Sequence, residues 1–194
     1  MSPQATVVLA STSPYRASLL RRLLEHFEQA SPGTDEAALP DERPGARAAR
    51  LAEAKARAVM ETRPGAVVIG SDQVADLDGT VLDKPVTVHA AHKQLAASSG
   101  REVIFHTAVC VIDLRGDATT HVDQTRVRFR ELSTADIARY VERERPLDCA
   151  GSFKCEGLGI ALFERIDNED PTALIGLPLI ATSRLLRAAG VVLP

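Results

Sequence analysis

The feature that most constrains the fold is a strand that turns directly into a helix near the start of the chain. The apolar run Thr6 to Ala10 reads as a first strand. Leu19, Leu20, Leu23, Leu24 and Phe27 follow at helical spacing. Between them stand Ser11-Thr12-Ser13-Pro14-Tyr15-Arg16, with Ser13 suited to an N-cap and Pro14 to the first helical position. Such a corner offers hydroxyls and free backbone N–H groups at the positive end of a helix, which is a place for an anion. Arg16 in the first turn has two readings. It is a solvated arginine on a capped helix, or it faces an anion bound in front of the helix.

The same alternation runs on. A second helix is predicted from about Gly45 to Glu61, after a loop from Ser31 to Pro44. Val67-Val68-Ile69 reads as a short buried strand ending at Gly70. Asp78-Gly79 reads as a hairpin turn between Val74 to Leu77 and Thr80 to Leu82. Thr87 caps a third helix that stops near Gly100. Two long strands, Val103 to Leu114 and Thr119 to Arg130, are joined at Arg115-Gly116-Asp117, which reads as a turn. Ser133 with Asp136 opens a fourth helix. Leu158 to Phe163 reads as a returning strand, and Pro178 to Ala189 as a last helix stopped by Gly190. Helices alternating with strands, some of them in hairpins, predict an α/β domain with a mixed sheet. At 194 residues the chain can bury a core as one domain, or as two lobes sharing one sheet.

Composition excludes several classes. A net charge of −3 argues against a general nucleic-acid binder while permitting a local basic pocket. Met1-Ser2-Pro3-Gln4-Ala5-Thr6 lacks the pattern of a signal peptide, and no apolar run is long enough to span a bilayer. Three cysteines, Cys110, Cys149 and Cys155, show no metal-type spacing and point to a reducing cytoplasm. The five histidines show no metal spacing either.

Three segments carry polar residues that packing does not require. Gly70-Ser71-Asp72-Gln73 follows a buried strand, where ligands gather in α/β sheets. Asp72 there either serves a cation or a water, or bonds its own backbone in a turn. Lys55 lies on or beside the apolar stripe formed by Leu51, Ala54, Ala58 and Val59, where lysine is uncommon. It either snorkels to water or reaches into an anion pocket. Lys84-Pro85 is a weaker signal of the same kind. Asp148 to Gly159 contains three glycines that let backbone approach a ligand closely, but it matches no dinucleotide or P-loop spacing.

Seven segments, in order along the chain, together resemble the Maf family of nucleotide pyrophosphatases. They are Leu9 to Arg16, Asp35-Glu36, Ala54-Lys55-Ala56, Gly70 to Val74, Asp83-Lys84-Pro85, Ala150 to Gly157 and Gly176 to Leu179. The resemblance implies a twisted mixed sheet in two lobes around a deep cleft, akin to inosine triphosphate pyrophosphatases. It implies hydrolysis of a nucleoside triphosphate to monophosphate and pyrophosphate with a divalent cation, Mg²⁺ or Mn²⁺, and a homodimer. Tyr15, Gln73 and Glu156 fall on the positions that sort substrates, and Gln73 and Glu156 look like the subgroup acting on N7-methylated GTP. That subgroup usually has tryptophan at the place of Tyr15, and the dTTP/UTP subgroup carries Arg, Thr and Gln at the three positions.

Physical chemistry gives the resemblance independent sense. N7-methylated guanine carries a delocalised positive charge, which a carboxylate such as Glu156 can pair with and an aromatic face such as Tyr15 can cover. Gln73 can donate and accept. In the mechanism this implies, Ser11, Ser13, Arg16, Lys55 and Lys84 hold phosphate oxygens. Asp72 is general base and a metal ligand, and Glu36 is the second carboxylate for the cation. Asp148 and Lys154 order their loop. Two rivals stand beside it. A phosphatase with Asp72 as nucleophile expects a second aspartate two residues on, where Val74 stands. A nucleotide-responsive regulator of septum formation would release neither pyrophosphate nor orthophosphate.

Overall fold

Residues 67–77 form a strand of 11 residues that is apolar at its start and polar in its middle, and the rest of the molecule is arranged around it. The computed structural model describes residues 5–194, so the reading of the N-terminus rests on Met1 to Gln4, which lie outside the described residues. One sheet contains β1 (Val7–Leu9), β2 (Glu28–Gln29), β3 (Val67–Leu77), β4 (Thr80–Val81), β5 (Glu102–Ile112), β6 (Ala118–Phe129) and β7 (Phe163–Asp167). Its order is β2-β1-β3-β5-β6-β7, with β4 paired to the far end of β3. β1 pairs in parallel with β2 and β3, and the other pairings are antiparallel. The helices are α1 (Pro14–Leu20), α2 (Pro44–Thr62), α3 (Val88–Ser98), α4 (Thr134–Glu144) and α5 (Leu179–Ala188). The mixed α/β architecture is the one expected.

Strand alternation sorts the core. Val68, Val74, Ala108, Cys110 and Ile112 face α2, packing on Ala48, Ala52, Ala56 and Val59. The opposite face carries two separate apolar clusters. One joins Leu9, Ile69, Val109 and Val111 to Leu20, Leu185 and Leu186 of α1 and α5. The other joins Ala75, Phe105, Val127 and Phe129 to Leu95, Ile137 and Val141 of α3 and α4. Between them Ser71, Gln73 and Thr107 bond carbonyls of residues 173–176. This polar seam is what divides the molecule into two lobes over one sheet.

Several expectations need correction. Gly70 does not end a strand, since β3 runs straight through it. A Cβ there would lie 2.1 Å from the Ala52 carbonyl oxygen, so the glycine lets α2 lie close against the sheet. α1 stops at Leu20 rather than reaching Phe27, and Leu23 and Leu24 pack from the following turn. On α2 the buried alanines are Ala48, Ala52 and Ala56, not Ala54 and Ala58. Leu158–Leu162 is a short 3₁₀ turn, and the returning strand is Phe163–Asp167. The short strand β2 was not expected.

The helix starts agree with the sequence. Ser13 accepts from the Arg16 N–H, Thr87 from the Ala90 N–H, and Ser133 and Asp136 form a reciprocal capping box. No helix among the described residues is long and apolar enough to cross a membrane.

Candidate active site

β3 has an open middle. β1 pairs only with Val67–Ile69 and β4 only with Asp76–Leu77. The bonds from Ala10 N to the Ile69 carbonyl and from Leu82 N to the Ala75 carbonyl close the two ends, each at 2.8 Å. Between them, Ser71 to Val74 have a strand neighbour on the β5 side alone. A cavity of about 300 Å³ opens at this place, within the range of small-molecule sites. Tyr15, Arg16, Glu36, Lys55, Asp72, Gln73, Lys84 and Glu156 all line it. Ser13 lines it too, and Ser11 lines an adjoining hollow shared with Arg16, Lys55 and Lys84. Residues scattered over most of the chain thus meet at one strand edge.

α2 supplies the central cation. Lys55 sits on the stripe of Leu51 and Val59 and is only 5% exposed. Its ammonium donates to Asp72 Oδ1 at 2.6 Å and lies 2.7 Å from Glu36 Oε1. Asp72 is itself 6% exposed, so this contact compensates a buried carboxylate. Glu36 comes from the loop between β2 and α2. Burial alone would raise its carboxyl, but the bond and charge of Lys55, with Lys84 and Arg16, hold it below the ordinary value.

Arg16 is fixed from outside its own helix. Its Nε donates to the Gly176 carbonyl at 2.9 Å, and the buried Ser71 hydroxyl donates to the same oxygen at 3.0 Å. Burial lowers the Arg16 guanidinium from its ordinary value, opposed by the carboxylates Asp72 and Glu36. Ser13 N–H donates to Ser11 Oγ at 3.1 Å, which ties the two hydroxyls into one corner. Lys84 is exposed at the rim.

The loop from Asp148 to Gly157 also lines the cavity, through Asp148, Cys149, Ala150, Phe153, Cys155 and Glu156. Phe153 anchors it by packing edge-on to Phe105, Phe129 and Phe163, with ring centroids 4.8 to 5.7 Å apart. The Lys154 N–H donates to the Tyr140 hydroxyl. Gly151 has φ of 72°, and a Cβ on it would meet Phe105 at 2.9 Å. That glycine therefore serves packing within the protein, not the close approach of a ligand. Glu156 is left exposed on the cavity side. The Tyr15 hydroxyl donates to Asp148 at 3.3 Å, and the Lys154 ammonium lies 5.9 Å from the Tyr15 ring centre. A Lys154–Asp148 ion pair at 3.4 Å completes this group. Burial, with Asp148 beside Cys149 and Glu156 beside Cys155, pushes both thiols up to about 12. Neither is a thiolate nucleophile at neutral pH.

Gln73 differs from expectation. Its amide nitrogen donates to Thr107 Oγ1 and the Ala173 and Leu174 carbonyls at 3.0 to 3.1 Å. Only its carbonyl oxygen is left to meet a ligand. Sequence reasoning also missed Arg47. It lines the cavity, donates to the Glu36 carbonyl at 3.2 Å and lies 3.4 Å from Asp83. The signal was present, since Arg47, Leu51 and Lys55 recur every four residues on one helix face.

Glu36 and Asp72 each give Lys55 one oxygen and keep a second. Two hard carboxylates suit Mg²⁺ or Mn²⁺, a cation that completes its shell with waters and substrate phosphates. Among the described residues no group of three or more His, Cys, Asp or Glu side chains stands together to hold a metal unaided. The two carboxylates thus supply part of a shell for such a cation.

Known proteins match this chain closely. The family described as Maf-like protein matches residues 6–189. A 7-methyl-GTP pyrophosphatase of Aromatoleum aromaticum is 57% identical over 97% of both chains. One of Xanthomonas campestris pv. campestris is 57% identical over 97% of this chain and 98% of its own. One of a Polaromonas species is 55% identical over 96% and 86%. A solved nucleoside-triphosphatase / dITP/XTP pyrophosphatase of Mycobacterium abscessus superposes with a TM-score of 0.46 at 16% identity, over 95% of this chain and 97% of its own.

Proposed function

Because this chain belongs to the Maf-like protein family, as the match over residues 6–189 shows, we propose that it hydrolyses the α–β phosphoanhydride of N7-methylated GTP to the monophosphate and pyrophosphate. The observation that carries this reading is a single cavity lined both by the cations Arg16, Lys55 and Lys84 and by the Tyr15 ring and the Glu156 carboxylate. The near-full-length relatives named 7-methyl-GTP pyrophosphatase support the substrate.

Arg16 and the Ser11–Ser13 corner hold phosphate oxygens at the start of α1, where backbone N–H groups and the helix dipole favour negative charge. Lys84 adds charge at the rim. Fixed cations of this kind stabilise the charge that develops as the anhydride breaks, without reorganising during the step. Asp72 takes the proton of the attacking water. In the free protein its Oδ1 accepts a hydrogen bond from the Lys55 ammonium, which the triphosphate draws away. A divalent cation held by Glu36 and Asp72 would neutralise phosphate charge and polarise the anhydride. Glu156 pairs with the cationic base, and Tyr15 covers its face. Gln73 offers one acceptor to the base while its amide nitrogen pins residues 173–174.

The substrate and the three free cysteines fit a reducing cytoplasm, with residues 1–194 acting as one domain. A homodimer, implied by the family resemblance, belongs to the same reading. Product analysis tests the reaction type. Incubation with 7-methyl-GTP and Mg²⁺ or Mn²⁺ is expected to yield pyrophosphate and 7-methyl-GMP. Release of orthophosphate would point to the phosphatase instead. Release of neither would leave a regulator.

A further inference from the structure

The Lys55 ammonium bridges Glu36 and Asp72, the two carboxylates to which the proposed reaction assigns a divalent cation. It lies 2.7 Å from Glu36 Oε1 and 2.6 Å from Asp72 Oδ1, between carboxylates brought from a loop and a strand. Resting on the reading of the site given above, we infer that Lys55 is a built-in substitute for the metal. It holds Glu36 and Asp72 together in the free protein and keeps the metal out until a triphosphate arrives.

The argument is electrostatic. Asp72 is almost wholly buried, and a buried carboxylate stays ionised only beside a counter-charge. In the free protein Lys55 is that counter-charge. A divalent cation on the same two carboxylates would come close to the ammonium, and like charges at short range in a protein cleft repel strongly. The two cations therefore alternate. Lysine is suited to this exchange, because its charge is compact and its stem flexible. Lys55 shares the cavity with Arg16 and Lys84, so a triphosphate there offers the displaced ammonium a new partner. The same triphosphate offers the metal the further oxygens that two carboxylates lack. Metal and triphosphate thus favour each other's binding, and by linkage the coupling is reciprocal.

Mn²⁺ alone, without nucleotide, is the probe, with binding followed by electron paramagnetic resonance. The wild type is expected to bind it weakly. Lys55→Met and Lys55→Gln are expected to bind at least about tenfold more tightly, because they lack the repulsion just described. Adding Asp72→Asn to Lys55→Met should abolish the gain. Equal affinity in the wild type and a folded Lys55 variant overturns the inference, as does a gain that survives the loss of Asp72. Should neither Lys55 variant fold, the wild type decides. Micromolar binding of Mn²⁺ alone that Asp72→Asn removes overturns the inference, and weak or absent binding supports it. Failure of the wild type to hydrolyse 7-methyl-GTP would sink the substrate reading and leave this metal-only comparison standing.

Discussion

In the proposed reaction Asp72 carries the chemistry and Glu156 the substrate choice; both line one cavity, Asp72 from the buried strand β3 and Glu156 from an exposed loop. Asparagine keeps the shape of Asp72 but cannot accept the proton of water. Asp72→Asn should lower kcat by about two to four powers of ten in a folded protein. Near wild-type turnover would remove the general-base role. Glu156→Gln keeps the shape but loses the charge, and charge-assisted bonds are about twice as strong as neutral ones. It should reduce the preference for 7-methyl-GTP over GTP by roughly ten- to hundredfold while pyrophosphate release continues. An unchanged ratio in steady-state kinetics would make the glutamate a bystander. Legibility in the sequence differed between residues for a physical reason. Lys55 stood out because helical periodicity put a charge on an apolar stripe. Gln73 did not reveal its contacts, because its partners are carbonyls 100 and 101 residues away in the chain. No local pattern encodes such a pairing.

At the scale of elements, Gly70 decides how closely α2 approaches β3, and hence whether Lys55 reaches Asp72. Gly70→Ala would place a methyl 2.1 Å from the Ala52 carbonyl oxygen and 2.7 Å from the Ala56 nitrogen. Overpacking of this kind should cost about 1–3 kcal/mol or more in denaturant unfolding. Unaltered stability would show that α2 shifts freely. α4 offers a test by pH. The Ser133 side chain and backbone N–H, with Arg130, bring the Asp136 carboxyl from 3.8 down to about 2. A carboxyl depressed on folding contributes stability that is fully present above its unfolded value and is lost as pH falls through the folded one. The wild type should therefore lose Tm more steeply than Asp136→Asn between about pH 4 and pH 2. Parallel curves would contradict the capping box as an acid-sensitive contact. Helix starts were legible here because Ser13, Thr87 and Ser133 act on N–H groups within three residues. β3 was read as two pieces because Gly70-Ser71-Asp72 carries the composition of a turn. Pairing with β5 and the close packing of α2 on one face keep that stretch extended. Leu158–Leu162 misled for the converse reason, since a short apolar run does not distinguish a strand from a tight turn.

Across the whole molecule, the site follows from an imbalance in the sheet. β3 is 11 residues long, and its partners on one side cover only its ends. The uncovered middle lies where two apolar clusters part around Ser71, Gln73 and Thr107. The sequence disclosed the α/β class through its alternation of periods, and the resemblance of its seven segments brought the candidate residues together. The seam between the lobes was not legible, because it depends on residues 173–176 folding back over distant strands. In the proposed reaction this cleft selects a nucleoside triphosphate with a cationic base and cleaves it between the α and β phosphates. Its most direct test is kcat/KM for pyrophosphate release from 7-methyl-GTP, GTP, dTTP and UTP, measured side by side with Mg²⁺ or Mn²⁺. 7-methyl-GTP is expected to lead GTP by about ten- to hundredfold, the size of one charge-assisted contact at Glu156, with dTTP and UTP lower still. Equal efficiency on 7-methyl-GTP and GTP, or a lead by dTTP or UTP, would contradict it.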